Sequence, residues 1–91
     1  MSDIVHNEQE TRYELSVDGE IASIAEYTPS GDTWVFDHTE TVPRFGGRGL
    51  AARVVGFALD DARKRGVKVV ASCWYVAEFI DKHPEYAELV A

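Results

Sequence analysis

A change of hydrophobic period at Val42–Ala51 constrains this chain more than any other feature. Before it, apolar residues alternate as in half-buried strands; after it, they recur every three to four residues as in an amphipathic helix. The junction reads Val42-Pro43-Arg44-Phe45-Gly46-Gly47-Arg48-Gly49-Leu50-Ala51, a basic, glycine-rich turn between a strand and a long helix. The first amides of a helix have no partner inside it. The helix dipole adds partial positive charge there, so a phosphate is a natural ligand. Glycine lets the backbone come close, because no Cβ intervenes. The turn therefore predicts a phosphate-bearing ligand.

Upstream, Tyr13, Leu15 and Val17 alternate with Arg12, Glu14 and Ser16, a strand with one buried face. Asp18-Gly19 is a hairpin signal, and a second strand follows over about 21–27. The cluster Thr28-Pro29-Ser30-Gly31-Asp32 reads as a turn. A third strand runs over about 33–42, and simple alternation places Trp34, Phe36, His38, Glu40 and Val42 on one face. Residues 1–8 read as a loose polar lead-in. Downstream, Leu50, Val54, Ala58 and Ala62, with Ala51, Val55 and Leu59 beside them, form a helical stripe over about 48–65. Arg63-Lys64-Arg65-Gly66 closes it with cations and a terminal glycine. Gly56 inside the helix suggests close packing against the sheet, or a tolerated glycine. Val67–Ala71 is a short β-branched strand. A second helix covers about 74–82 and stops before Pro84. The order β-β-β-α-β-α predicts an α+β domain over residues 1–91, with helices packed on the sheet.

Charge narrows the ligand. The 91-residue chain carries a net charge of −7, with ten acids and one base in residues 1–40, whereas seven of its nine bases lie in residues 44–68. Bases gathered around one turn of an acidic chain suit a small anion better than a nucleic acid. No apolar run approaches the roughly 20 residues of a membrane span. The N-terminal residues lack the pattern of a secretory signal. The single Cys73 excludes an internal disulfide, so the expected location is the reducing cytoplasm. His6, His38 and His83 lack metal-ligand spacing, and no metal site is expected.

Two familiar glycine loops fit poorly. A P-loop needs Gly-Lys-Ser/Thr after its spacer, which is absent. Gly47-Arg48-Gly49-Leu50-Ala51-Ala52 matches a dinucleotide fingerprint as a string, but it follows a meander, and the acidic residue required about 20 positions later is missing. The arginines and glycines of the turn suit a diphosphate held by backbone amides, with Arg44 and Arg48 adding charge-assisted contacts. His38, on residue pattern alone, is either a base able to take a proton from an amine or a histidine satisfied at the core's edge. Cys73 is either a small buried apolar residue or, at a helix start, an activated thiol. Glu40 is an assisting base or a solvated carboxylate. Trp74 and Tyr75 read as core packing with a possible channel role, and His83 as structural.

Arg44-Phe45-Gly46-Gly47-Arg48-Gly49 resembles the R/Q-x-x-G-x-G/A signature of the GCN5-related N-acetyltransferases. The segments His38–Pro43, Lys68–Val70, Cys73–Val76 and His83–Tyr86, in this order, look like the very small subfamily often called the YjdJ type. The resemblance runs from about Tyr13 to Val90. It implies a minimal acetyltransferase fold with acetyl-CoA or coenzyme A as cofactor. The cofactor would be held at Arg44, Gly46, Gly47, Arg48, Gly49, Leu50 and Ala51. It also singles out His38 and Cys73 as active-site residues; Glu40 stands beside them as a candidate on residue pattern alone. The implied activity is acetyl transfer to an unidentified amine, with coenzyme A lying in a groove where the third and fourth predicted strands separate. The chain lacks the elements that usually shape an acceptor pocket in the larger family, so a noncatalytic acyl-CoA-binding module is the alternative.

Overall fold

The computed structural model of the chain describes residues 2–91. Met1, the first residue of the expected lead-in, lies outside them. Nearly all the rest of that lead-in is a strand: β1 spans Ser2–Asn7 and pairs antiparallel with β2, Arg12–Val17. The reason is visible in the pairing. Ile4 and His6 face the core opposite Leu15 and Tyr13, and the His6 ring stacks on Tyr13 at 4.2 Å between centroids. An imidazole in an inward position hides the alternation that an aliphatic residue would have shown.

β3 (Glu20–Ser30) and β4 (Thr33–Thr41) complete a four-stranded meander. Asp18 and Gly19 both have positive φ, as a two-residue hairpin turn of mirror-image type requires. The expected turn at 28–32 shrinks to Gly31-Asp32, because Thr28, Pro29 and Ser30 continue to pair with β4. Pro29 is tolerated there because β2 stops pairing at Arg12 and Glu26, leaving that end of β3 as an edge.

A short 3₁₀ turn at Pro43–Phe45 leads into α1, Leu50–Arg65. Gly66 ends α1 in the left-handed conformation. β5 (Lys68–Ala71) then pairs parallel with β4, giving the sheet order β1-β2-β3-β4-β5. α2 spans Trp74–Lys82, and a last 3₁₀ segment covers Pro84–Leu89. The final residues lie along β5, where the Ala91 amide donates to the Val69 carbonyl at 2.9 Å.

Both helices cover one face of the sheet. Val54, Val55, Ala58, Leu59 and Ala62 of α1 are buried against Tyr13, Leu15, Ala25 and Phe36, and α2 contributes Val76 and Phe79. A Cβ on Gly56 would stand 3.4 Å from the Phe79 ring, so this glycine faces α2 rather than the sheet. The other face bears no helix among the described residues, and its Val5, Ile21 and Val70 are exposed. Among the described residues, no helix is long and apolar enough to cross a membrane.

Candidate active site

β4 and β5 form a fork. They pair from Thr33/Lys68 to Phe36/Ala71 and then part. The apex is closed by one carbonyl: Phe36 accepts from the amides of both Ser72, at 3.0 Å, and Cys73, at 2.9 Å. β4 continues to Thr41 while the chain after β5 turns into α2. Beyond Phe36, the edge of β4 therefore has no strand beside it among the described residues.

A β-bulge sits at this apex. Tyr27 pairs with Phe36, but Glu26 pairs with His38, so Asp37 is an extra residue in β4. A bulge reverses which face later residues present. The expectation that His38 and Glu40 share a face with Trp34 and Phe36 is therefore overturned. Thr39 pairs with Ala25 and Thr41 with Ser23, both buried positions on the helix side. His38 and Glu40 turn to the bare face, opposite Glu26 and Ile24. There His38 Nε2 lies 3.1 Å from Glu40 Oε1, with half of the imidazole exposed.

Cys73 occupies the N-cap position of α2, with Sγ 3.6 Å from Thr39 Oγ1. Burial pushes its thiol pKa up. The Thr39 hydroxyl beside it and the nearby backbone amides of Val76, Tyr75 and Thr39 favour the charged form, outweigh burial and hold it below the usual thiol value. The structure thus brings Cys73 together with Thr39, a partner that sequence patterning missed because the bulge hides which face Thr39 takes.

The glycine turn lies where β4 hands over to α1. Gly47 and Gly49 have φ of 78° and 73°, values that favour glycine. Gly49 is the N-cap, no side chain caps the helix, and the amides of its first turn are without intrahelical partners. The expected cradle is narrower at its start. The Gly46 amide donates to Pro43 and the Phe45 amide to Val42, so those two are already committed. Arg44 and Arg48 both lie over the Phe45 ring, at 4.5 and 5.3 Å. Arg44 is also ion-paired with Glu20, whose hydrogen bond raises the guanidinium pKa further.

Beside the turn, α1 and α2 enclose a hollow of about 230 Å³, lined by Ala52, Tyr75, Glu78, Phe79, Lys82 and His83. His83 is held in place, its Nδ1 donating to the Phe79 carbonyl at 2.8 Å and its ring stacked on Phe79. Trp74, expected in the core, is 72 % exposed, because α2 begins at the rim of the fork. Among the described residues, no three His, Cys, Asp or Glu side chains gather as a metal site.

A glycine-opened helix at the end of a meander, beside a forked pair of strands, defines an acetyltransferase-type domain. The chain matches the model of the GCN5-related N-acetyl-transferase family over residues 12–89 and belongs to that family. Among relatives, it is 32% identical over 47 residues to Protein NATD1 of Xenopus tropicalis, an alignment covering 52% of this chain and 43% of that protein. It is 31% identical over 55 residues to Protein NATD1 of Danio rerio, covering 58% and 50%. The chain spans about half the length of the curated relatives it matches. Among solved structures, a GCN5-like protein of Staphylococcus aureus superimposes with a TM-score of 0.75 at 19% identity, over 98% of this chain and 87% of that one. The ribosomal-protein-S18-alanine N-acetyltransferase of Escherichia coli does so with a TM-score of 0.65 at 20% identity, over 78% and 49%.

Proposed function

We propose that this domain binds acetyl-CoA and transfers its acetyl group to an amine. One observation carries the reading: an uncapped helix start, opened by a left-handed Gly49, stands at the mouth of a fork that holds a thiol at its apex. The amides from Gly47 to Ala52, with Arg44 and Arg48, would hold the diphosphate. Gly46 contributes shape rather than a donor. The hollow between α1 and α2 suits the remainder of the cofactor, and its Lys82 adds a cation that sequence patterning did not single out. When bound, acetyl-CoA supplies an activated thioester.

The residues of this chain account for the remaining steps. The open edge of β4 offers main-chain N–H groups to a carbonyl oxygen on which negative charge develops. His38 takes the proton that an attacking amine must lose. Cys73 is more acidic than an ordinary thiol, so giving a proton to a departing thiolate is downhill. Transfer is direct from cofactor to amine.

A second reading, a noncatalytic acyl-CoA-binding module, draws on the bare sheet face: no described element shields the fork from water on that side. Calorimetry with acetyl-CoA, followed by release of free thiol with a panel of amines, separates the two. The double variant Arg44→Ala/Arg48→Ala is expected to bind acetyl-CoA at least tenfold more weakly, about 1.4 kcal/mol. An unchanged dissociation constant overturns the site. Binding without thiol release favours the noncatalytic module.

A further inference from the structure

The fork has two sides, and the bulge at Asp37 assigns different chemistry to each. Thr39 and Cys73 face the helix layer, where the glycine turn and the larger hollow also lie. His38 and Glu40 face the bare side. A cofactor entering along the helices would leave that opposite side open. There the sheet surface is a dip of about 120 Å³, with Ile21, Ala22, Ile24 and Val42 among its lining and the side chains of Glu40 and Arg12 at its edge.

Cross-strand pairing fixes what surrounds the dip. One row reads Val5, Glu14, Ile24, Glu40; the next reads Asn7, Arg12, Glu26, His38. Three carboxylates face one guanidinium. That guanidinium is already engaged, with Nε 2.7 Å from Glu14 Oε2 and Nη1 3.7 Å from Glu26 Oε2. Glu40 contacts only the imidazole in this group, so its charge remains for a ligand. An apolar floor beside an uncompensated carboxylate is complementary to an aliphatic stem that ends in an ammonium group.

We infer that the acceptor enters from the bare face and is a primary ammonium on an unbranched aliphatic stem, seated over Ile24 and Val42 with Glu40 as its counter-charge. This deepens the acetyltransferase reading and rests on it. The bound ammonium gives one proton to His38. Its nitrogen lone pair forms the C–N bond to the acetyl carbon, the C–S bond breaks, the sulfur leaves with that bond's electron pair and takes the Cys73 proton, and the second proton shed by the nitrogen as the amide forms restores the Cys73 thiol. His38 returns its proton to water. The amide product is neutral, so the carboxylates that held the substrate no longer hold it, and product leaves.

The test uses the whole ¹⁵N-labelled chain without cofactor, titrated with cadaverine, with Nα-acetyl-lysine amide, and with glutamate as an anionic amine. Amide shifts are expected at Ile24, Glu40 and Val42 with the two cationic probes and not with glutamate. Their relative strength distinguishes a free diamine from a lysine side chain. Glu40→Gln is expected to weaken the cationic probes at least fivefold and to raise KM for the same amines with little change in acetyl-CoA affinity. His38→Gln is expected to lower kcat with little change in KM for the same amines. Shifts confined to the helix side, no shifts at millimolar cadaverine, or a preference for glutamate overturns the inference while acetyl-CoA binding still upholds the wider reading. Cadaverine shifts with no acetyl-CoA binding overturn both, because the amine site then serves no acetyl transfer.

Discussion

At the scale of single residues, Cys73 makes the sharpest demand. Its thiol is held by Thr39 and by amides at the start of α2, and these favour the thiolate. Its alkylation rate plotted against pH is therefore expected to have a midpoint below that of a free cysteine, and Thr39→Val is expected to move the midpoint up. An unshifted midpoint in the native chain counts against activation. Cys73→Ala is expected to slow thiol release at least tenfold while circular dichroism stays native. The positions of Gly49 and Cys73 at the starts of α1 and α2 were legible, because residue type and the change of period mark a helix start. The face of His38 and Glu40 was not legible. One extra residue, Asp37, inverts the alternation that follows it, and no local residue preference announces it.

At the scale of elements, both helices, the two-residue hairpin at Asp18-Gly19 and β5 were legible, since period and punctuation agree there. The start of α1 is the element on which the proposed cofactor site depends. Gly49 sits at φ 73° in the N-cap, with open space where a Cβ would go. Gly49→Ala meets no clash, so its cost is backbone strain alone, about 1–2 kcal/mol. Urea unfolding is expected to show that loss, and calorimetry a weaker grip on acetyl-CoA as the first turn shifts. A substitution without effect on either would show that the left-handed conformation is dispensable. β1 escaped sequence patterning for a different reason. Its inward positions are Ile4 and His6, and the histidine is accommodated by side chains of β2, β3, β4 and α1.

At the scale of the whole molecule, that histidine ties β1 to the far end of α1. His6 Nε2 lies 2.6 Å from the Tyr27 hydroxyl, and its Nδ1 is buried without a hydrogen bond, 3.6 Å from Asp61 Oδ2. Asp61 in turn accepts from the Tyr13 hydroxyl at 2.5 Å and from Arg65 Nε at 2.8 Å. Burial, aided by Arg65, lowers the His6 pKa against the pull of Glu8 and Asp61. Burial would raise the Asp61 pKa, but the bonds from Tyr13 and Arg65 hold it below the usual carboxylate value. Both groups bind protons more readily in the unfolded chain, so both destabilise the fold as acid is added. The His6 contribution is present above pH about 6.5 and is lost as the pH falls through the lowered native value; that of Asp61 is lost at lower pH. The urea midpoint is expected to fall between pH 7.5 and 5 and again below 4. His6→Gln is expected to flatten the first fall and leave the second. A midpoint equal at pH 7.5 and 5 would contradict this account.

What the sequence determined by itself is whatever neighbours along the chain decide: the change of period, the hairpin, the helix ends and a glycine turn that opens α1. These rest on backbone geometry and on spacing within one element. Tertiary structure alone decided which side of β4 each polar residue faces, that Thr39 meets Cys73, and that an N-terminal segment with a histidine in its core position becomes an edge strand. Such facts arise from pairing between distant segments, where a single unpaired residue or one stacked ring outweighs local preference.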